Sequence, residues 1–199
     1  MKRETLSHDA IFSDEAYAQK YALNHQKMAV NLGEEYVKKL TARGFTTGKI
    51  LDSGCGAGIT DVVLAQHFPG CEVTGIDLSA PLLEMARSSA SEAKVSERVT
   101  FQSGDVQQIA YADNCFDVAL NINMMHLVDN PLHMLNEIER VLSPGGFLFI
   151  ADLRRSWLGI FEQEIKSAFS NREAEELIDQ SNLRQGEFSS SLIWWRYEA

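Results

Sequence analysis

The sequence predicts an α/β fold, a mostly parallel sheet with helices on both faces, and three observations carry that prediction. Strand-like and helix-like stretches alternate along most of the chain, the pattern of successive crossover units. The segment Lys49-Ile-Leu-Asp-Ser-Gly-Cys-Gly-Ala-Gly-Ile59 joins the end of a buried strand directly to a glycine loop. The stretch Phe147 to Ala151 is apolar throughout, as a strand covered on both faces should be. With 199 residues, 45% hydrophobic and 23% charged, the chain suits one globular domain spanning residues 1–199.

The elements follow in order. Residues 1–45 read as an N-terminal helical cap, helical from about Asp14 to Leu40, with Tyr36, Val37 and Leu40 at helical spacing. Tyr17, Tyr21 and His25 recur every four residues and so share one helix face. After the glycine loop, Ile59 to His67 continues as the first crossover helix, which Pro69-Gly70 ends. Ser79 suits an N-cap and Pro81 a first turn for a helix running to about Ala93. Pro131 opens another helix, stopped by Pro144-Gly145-Gly146. A last helix from about Arg172 to Gln180 precedes two strands, Leu183 to Ser189 and Leu192 to Glu198, joined by a tight turn. On the final strand Trp194 and Trp195 point to opposite faces, which makes them packing residues before ligand platforms.

Charge and cysteine usage exclude several classes of function. A net charge of −10 and a pI near 4.9 repel a phosphate backbone, so nucleic acid is not the expected substrate. Met1 to Asp14 carries no apolar run of signal-peptide type, and no segment reaches the ~20 apolar residues that span a bilayer. A cytoplasmic location and no membrane partner are the expectations. Cys55, Cys71 and Cys115 are widely spaced and odd in number, matching neither a disulfide framework nor a metal site. No metal ligand set is expected.

The chemistry is concentrated in the glycine loop. A dinucleotide loop has the spacing G-x-G-x-x-G, whereas here the third glycine comes one residue early and position 59 is Ile. Asp52 lies just before the turn, where its charge repels a pyrophosphate and attracts an ammonium or sulfonium ion. The loop therefore suits a cationic cofactor. About 20 residues further on, at the spacing of a ribose-binding acid, Glu72-Val-Thr-Gly-Ile-Asp77 reads as a second strand ending in a carboxylate.

Three more landmarks follow: Val99-Thr-Phe-Gln-Ser-Gly-Asp105-Val106, then Phe116 to Asn121 with Met125-His-Leu-Val-Asp129, then Leu142-Ser-Pro-Gly-Gly-Phe147 to Ile150. In this order the five landmarks resemble the class I S-adenosylmethionine (SAM) dependent methyltransferases, and most of all the small-molecule branch that includes quinone-biosynthesis enzymes. The resemblance implies a Rossmann-like, seven-stranded sheet of order 3-2-1-4-5-7-6 with strand 7 antiparallel. It implies a cofactor site built from Asp52, Gly54, Cys55, Gly56, Gly58, Asp77, Leu78, Asp105, Val106 and Asn121, with Asp77 on the ribose and Gly-Asp105 meeting the adenine.

The expected reaction is methyl transfer from SAM to a small-molecule acceptor, releasing S-adenosylhomocysteine. The cofactor supplies an activated methyl, so the protein needs mainly to position the acceptor and exclude water. His126, in the loop after strand 4, is the candidate catalytic base, and Tyr17, Tyr21, His25 and His126 are the candidate pocket wall. A short lid from the N-terminal helices and the Arg154 to Phe169 segment is compatible with the pattern. Asn121-Ile-Asn123 departs from the Asn/Asp-Pro-Pro-aromatic motif of nucleic-acid amino-methylating enzymes. Two rival readings remain: a SAM-binding module without catalysis, and a nucleotide-cofactor oxidoreductase, which Ile59 and Asp52 disfavour. Thiol-based metalloid methylation has little support from three distant cysteines.

Overall fold

The computed structural model describes residues 13–156 and 163–199. The elements, in chain order, are α1 (Glu15–Ala42), β1 (Thr47–Ser53), α2 (Ile59–His67), β2 (Gly70–Asp77), α3 (Ala80–Glu92), β3 (Val99–Ser103) and β4 (Phe116–Ile122). After a 3-10 turn at Met125–Leu127 come α4 (Pro131–Val141), β5 (Leu142–Leu153), α5 (Gln163–Ser167), α6 (Asn171–Gln180), β6 (Glu187–Ser190) and β7 (Trp194–Glu198). The strands form one sheet in the order β3-β2-β1-β4-β5-β7-β6. The five strands from β3 to β5 pair in parallel, and β7 runs antiparallel to both β5 and β6. Strand order reverses between β1 and β4, the place where an open parallel sheet leaves a crevice beyond its carboxyl ends.

Alternation along each strand divides the core into two layers. Ile50, Val118, Leu120 and Phe149 pack with Leu32, Tyr36 and Leu40 of α1, with Leu64 of α2 and with Leu83 and Ala86 of α3. Their strand neighbours Leu51, Ala119, Leu148 and Ile150 face the other way, onto Leu135 and Ile138 of α4, Ile178 of α6 and Trp195. Fully buried, Trp195 stacks on Phe188, while the partly exposed Trp194 packs with Leu153 and Ile165.

The helix starts obey their sequence signals. Asp14 accepts from the Tyr17 backbone N–H at 2.7 Å, Ser79 from Leu82 at 3.3 Å and Asn130 from His133 at 3.1 Å. Ser170 and Glu173 complete a capping box on α6. Along its length α1 lies close against α2, and Gly33 makes this possible: a Cβ there would sit 2.8 Å from that of Val63. This contact carries α1 over the glycine loop.

Four strand starts differ from the sequence expectation, the last strand beginning at Trp194 instead of Leu192 and the second at Gly70 instead of Glu72. The strand expected from Leu183 begins only at Glu187, because Arg184 is drawn to α4 and β5, bonding Glu139 at 3.1 Å and the Gly146 carbonyl at 2.8 Å. The strand expected at Phe147 begins already at Leu142, since Leu142 pairs with Phe116 before a register shift brings Phe147 opposite Val118. Of the expected helical cap and lid, residues 1–12 and 157–162 lie outside the described residues.

Candidate active site

The glycine loop is held against the end of β2 by backbone bonds from Gly54 and Cys55 N–H to the Ile76 carbonyl, 2.8 and 3.1 Å long. Gly58 then opens α2 at φ +68°, and a Cβ there would meet Phe101 at 2.4 Å and Ala86 at 2.7 Å. Only glycine satisfies both the dihedral and the space. Beneath α1 the loop borders a cavity, partly open to solvent, whose walls include Tyr21, His25, Asp52, Gly54, Cys55 and Asn123.

Asp77, at the carboxyl end of β2, is buried and has a defined task. One carboxylate oxygen accepts the Gly56 N–H and the other the Ser79 N–H, each at 2.9 Å. The acid thus braces the glycine loop and the start of α3 together. Each oxygen still has a lone pair for a further donor such as a sugar hydroxyl. Next to it Leu78 is 40% exposed, an apolar side chain presented at the sheet edge. Asp105 is exposed and accepts the Gln107 backbone N–H at 2.8 Å, while Gln107 in turn accepts from Asn130 N–H at 2.7 Å. Val106 is buried beneath that turn.

Asp52 stands apart from these bonded acids. It is 2% exposed, lines the cavity, and its Oδ1 has no hydrogen-bond partner. Burial first, then the charge of Asp77, pushes its carboxyl up to about 7. Beside it, Asp61 of α2 is fully buried and neither of its oxygens has a donor. Burial, reinforced by Asp52, raises Asp61 in the same direction. The sequence reading missed Asp61, whose position on the first turn of α2 suggests only a favourable helix-dipole charge. Cys55 is also buried, and desolvation, then Asp61, Asp77 and Asp52, raise its thiol well above the ordinary value. A thiol held protonated in this way is no nucleophile.

Asn121 and His126, like Gly58, Asp77, Leu78, Asp105 and Val106, are not on the cavity wall. Asn121 lies within β4, not beyond it, and its fully buried amide donates to the Ser53 carbonyl at 2.7 Å and to Ser53 Oγ at 3.1 Å. Its role is to tie β4 to β1. Asn123 takes the cavity position instead, because its left-handed backbone, φ +55°, breaks the strand alternation, and its amide donates to Tyr21 Oη at 3.1 Å. His126 is buried and off the cavity wall: its backbone N–H donates to Asp152 Oδ2 at 2.8 Å and its Nδ1 lies 2.6 Å from Asp152 Oδ1. The pair anchors the turn after β4 to β5.

The face predicted for Tyr17, Tyr21 and His25 is only partly in the site. Tyr17 is 41% exposed and off the cavity wall, since the helix crosses the loop further along its length. Tyr21 and His25 do line the cavity, with ring centroids 4.1 Å apart. His25 Nδ1 lies 2.9 Å from the Tyr21 carbonyl, which only accepts, so the neutral ring carries its proton there and keeps the Nε2 lone pair.

A family model described as a methyltransferase domain matches residues 51–150, the stretch from β1 to β5 that holds the loop, both strand-end acids and the turn after β4. The chain belongs to this methyltransferase domain family. Among curated relatives, it is 33% identical over 162 residues to the probable methyltransferase ltbC of Aspergillus luteorubrus, covering 71% of this chain and 54% of that one. To the ubiquinone biosynthesis O-methyltransferase of Histophilus somni it is 32% identical, over 62% of this chain and 52% of the relative. The chain thus spans about half the length of these relatives. A solved SAM dependent methyltransferase from Aquifex aeolicus shares the fold, with a TM-score of 0.77 and 18% identity over 93% of this chain and 97% of that one.

Proposed function

We propose that this chain transfers a methyl group from SAM to a small-molecule acceptor and releases S-adenosylhomocysteine. The observation that carries the reading is Asp52: a buried carboxyl with an unpartnered oxygen on the wall of a cavity that no Lys or Arg lines among the described residues. Such a group is costly until a cation reaches it. SAM carries an ammonium and a sulfonium, while a pyrophosphate would add negative charge beside three acids. The residues therefore fit this cofactor and oppose a dinucleotide.

When bound, SAM supplies an electrophilic methyl group that needs no Lewis acid. Asp52 would serve its cationic end, and the open backbone at Gly56 would let it approach. Asp77 takes the ribose hydroxyls with the lone pairs left after it has fixed the loop, and Leu78 offers an apolar face to the base. Tyr21, His25 and Asn123 form the wall over the loop. Where the acceptor must lose a proton, the Nε2 lone pair of His25 is available at that wall. In this reading His126 acts through position, fixing the backbone that carries Asn123.

The net charge of −10 favours a small acceptor over nucleic acid. Among the described residues no helix is long and apolar enough to cross a membrane, and no group of three His, Cys, Asp or Glu side chains could hold a metal. Calorimetric titration with SAM, S-adenosylhomocysteine and NAD tests the cofactor, with saturable binding expected for the first two only. Release of S-adenosylhomocysteine with a panel of hydroxylated aromatic and aliphatic acceptors tests the transfer. Saturable NAD binding without SAM binding would overturn the reading.

A further inference from the structure

Asp52 and Asp61 form a carboxyl pair beneath the glycine loop, 2% and 0% exposed, with their side chains within hydrogen-bonding reach of one another. Two carboxylates offer only acceptors, so Asp52 Oδ1 and both Asp61 oxygens stand without a donor. A proton retained by either acid turns that repulsion into a bond. Only Asp52 of the two reaches the cavity wall, so the acid behind it is the one whose charge no ligand can meet directly.

We propose that Asp61 is a cofactor-positioning residue: it keeps its proton, donates it to Asp52, and so turns Asp52 toward the cavity as the one negative charge that pairs with a cation. The cation is the ammonium of the SAM amino-acid end, which makes this inference rest on the cofactor reading above. The groups around the pair agree with retention of one proton. From β2 comes the Asp77 carboxylate, from the loop the Cys55 thiol, and from α1 His25 on the cavity wall and the buried Tyr36 hydroxyl, which feels the charge of Asp52. None of these is a fixed cation able to hold two carboxylates ionised.

The test compares three variants with the wild-type chain. In Asp61→Asn the amide replaces the protonated acid as a donor with no charge to lose, so SAM and S-adenosylhomocysteine should bind within about threefold of wild type. Asp61→Leu removes the donor and Asp52→Asn removes the charge, and each should weaken binding at least about tenfold. Across pH 6 to 8 the affinity profiles of wild type and Asp61→Asn should run parallel. Independently of any ligand, difference infrared spectra at pH 8.5, where Asp52 itself is ionised, should show a protonated carboxylic acid in the wild type and in Asp52→Asn but not in Asp61→Asn. The proposal is overturned if Asp61→Asn loses as much affinity as Asp52→Asn, if a folded Asp61→Leu binds like wild type, or if the infrared band survives in Asp61→Asn. Should the wild-type chain bind neither SAM nor S-adenosylhomocysteine, the cofactor reading falls, and the infrared band still decides whether Asp61 holds the proton.

Discussion

Two buried aspartates at the same edge of the sheet have opposite surroundings. Asp152, near the end of β5, receives three donors: His126 N–H at 2.8 Å, His126 Nδ1 at 2.6 Å and Leu153 N–H at 2.7 Å. Asp52, near the end of β1, has an unpartnered oxygen, with another buried acid beside it. A carboxylate whose donors are supplied by its own fold stabilises that fold, whereas one left bare beside a cavity destabilises it until something positive arrives. The contrast separates scaffold from site more sharply than burial does, since both side chains are almost fully buried.

The largest expected effect would break this comparison at its bonded end. Asp152→Ala leaves the His126 ring and two backbone N–H groups buried without their acceptor, and should cost about 3–5 kcal/mol of stability. Urea unfolding followed by circular dichroism measures it. A loss below ~1 kcal/mol would show that the turn after β4 is held by something else.

At the bare end the sign reverses. Because the folded-state value of Asp52 is raised from 3.8 to about 7, the folded chain holds a proton that the unfolded chain releases earlier. Stability associated with this group is therefore present below the unfolded value and lost as pH rises from about 4 to about 7, at up to ~1.4 kcal/mol per pH unit. Asp61 acts in the same direction. Asp52→Asn should remove the Asp52 part of this loss, so that the ligand-free variant melts higher than wild type at pH 8 and about equally at pH 4. Thermal melts at the two pH values decide it; equal melting temperatures at pH 8 would count against a strained pair.

The difference between the two acids also explains what could be read in advance. The glycine loop and the strand-end position of Asp77 were legible because each is a local signal fixed by glycine and capping chemistry, whereas the strand order followed from the family resemblance. Two of the three donors of Asp152 come from a residue 26 positions away, and the pairing of Asp61 with Asp52 depends on how α2 lies under the loop. No periodicity encodes such contacts. The exchange of Asn121 for Asn123 on the cavity wall was hidden for a related reason: period-two reasoning fails at a left-handed residue, and Asn tolerates that conformation well enough to give no warning. Likewise Tyr17 shares a face with Tyr21 and His25 by spacing, yet a straight helix crosses a loop at one point only.

Asp77 lies between the two extremes, bonded by the fold and still open to a ligand. Asp77→Ala should weaken SAM binding by roughly 1.5–3 kcal/mol, about tenfold to a hundredfold. Because Gly56 and Ser79 lose their acceptor as well, part of that cost should appear as lower stability of the ligand-free chain. Asp77→Asn retains one acceptor oxygen and should fall between. Unchanged SAM affinity in a folded Asp77→Ala would move the ribose away from this edge.

The smallest expected effect concerns the wall rather than the floor of the cavity. Tyr21 bridges two elements: its hydroxyl accepts from Asn123 Nδ2 at 3.1 Å, and its ring lies against that of His25. Tyr21→Phe keeps the ring and removes the link between α1 and the turn after β4. A single partly buried bond of this kind contributes about 1 kcal/mol, so the loss of stability should be no larger. If α1 closes over a bound cofactor, the lost link should show mainly as faster cofactor release, a fewfold rise in the dissociation rate with little change in association. Stopped-flow fluorescence with S-adenosylhomocysteine separates the two rates. An unchanged dissociation rate would confine Tyr21 to packing and leave His25 and Asn123 as the polar groups of that wall.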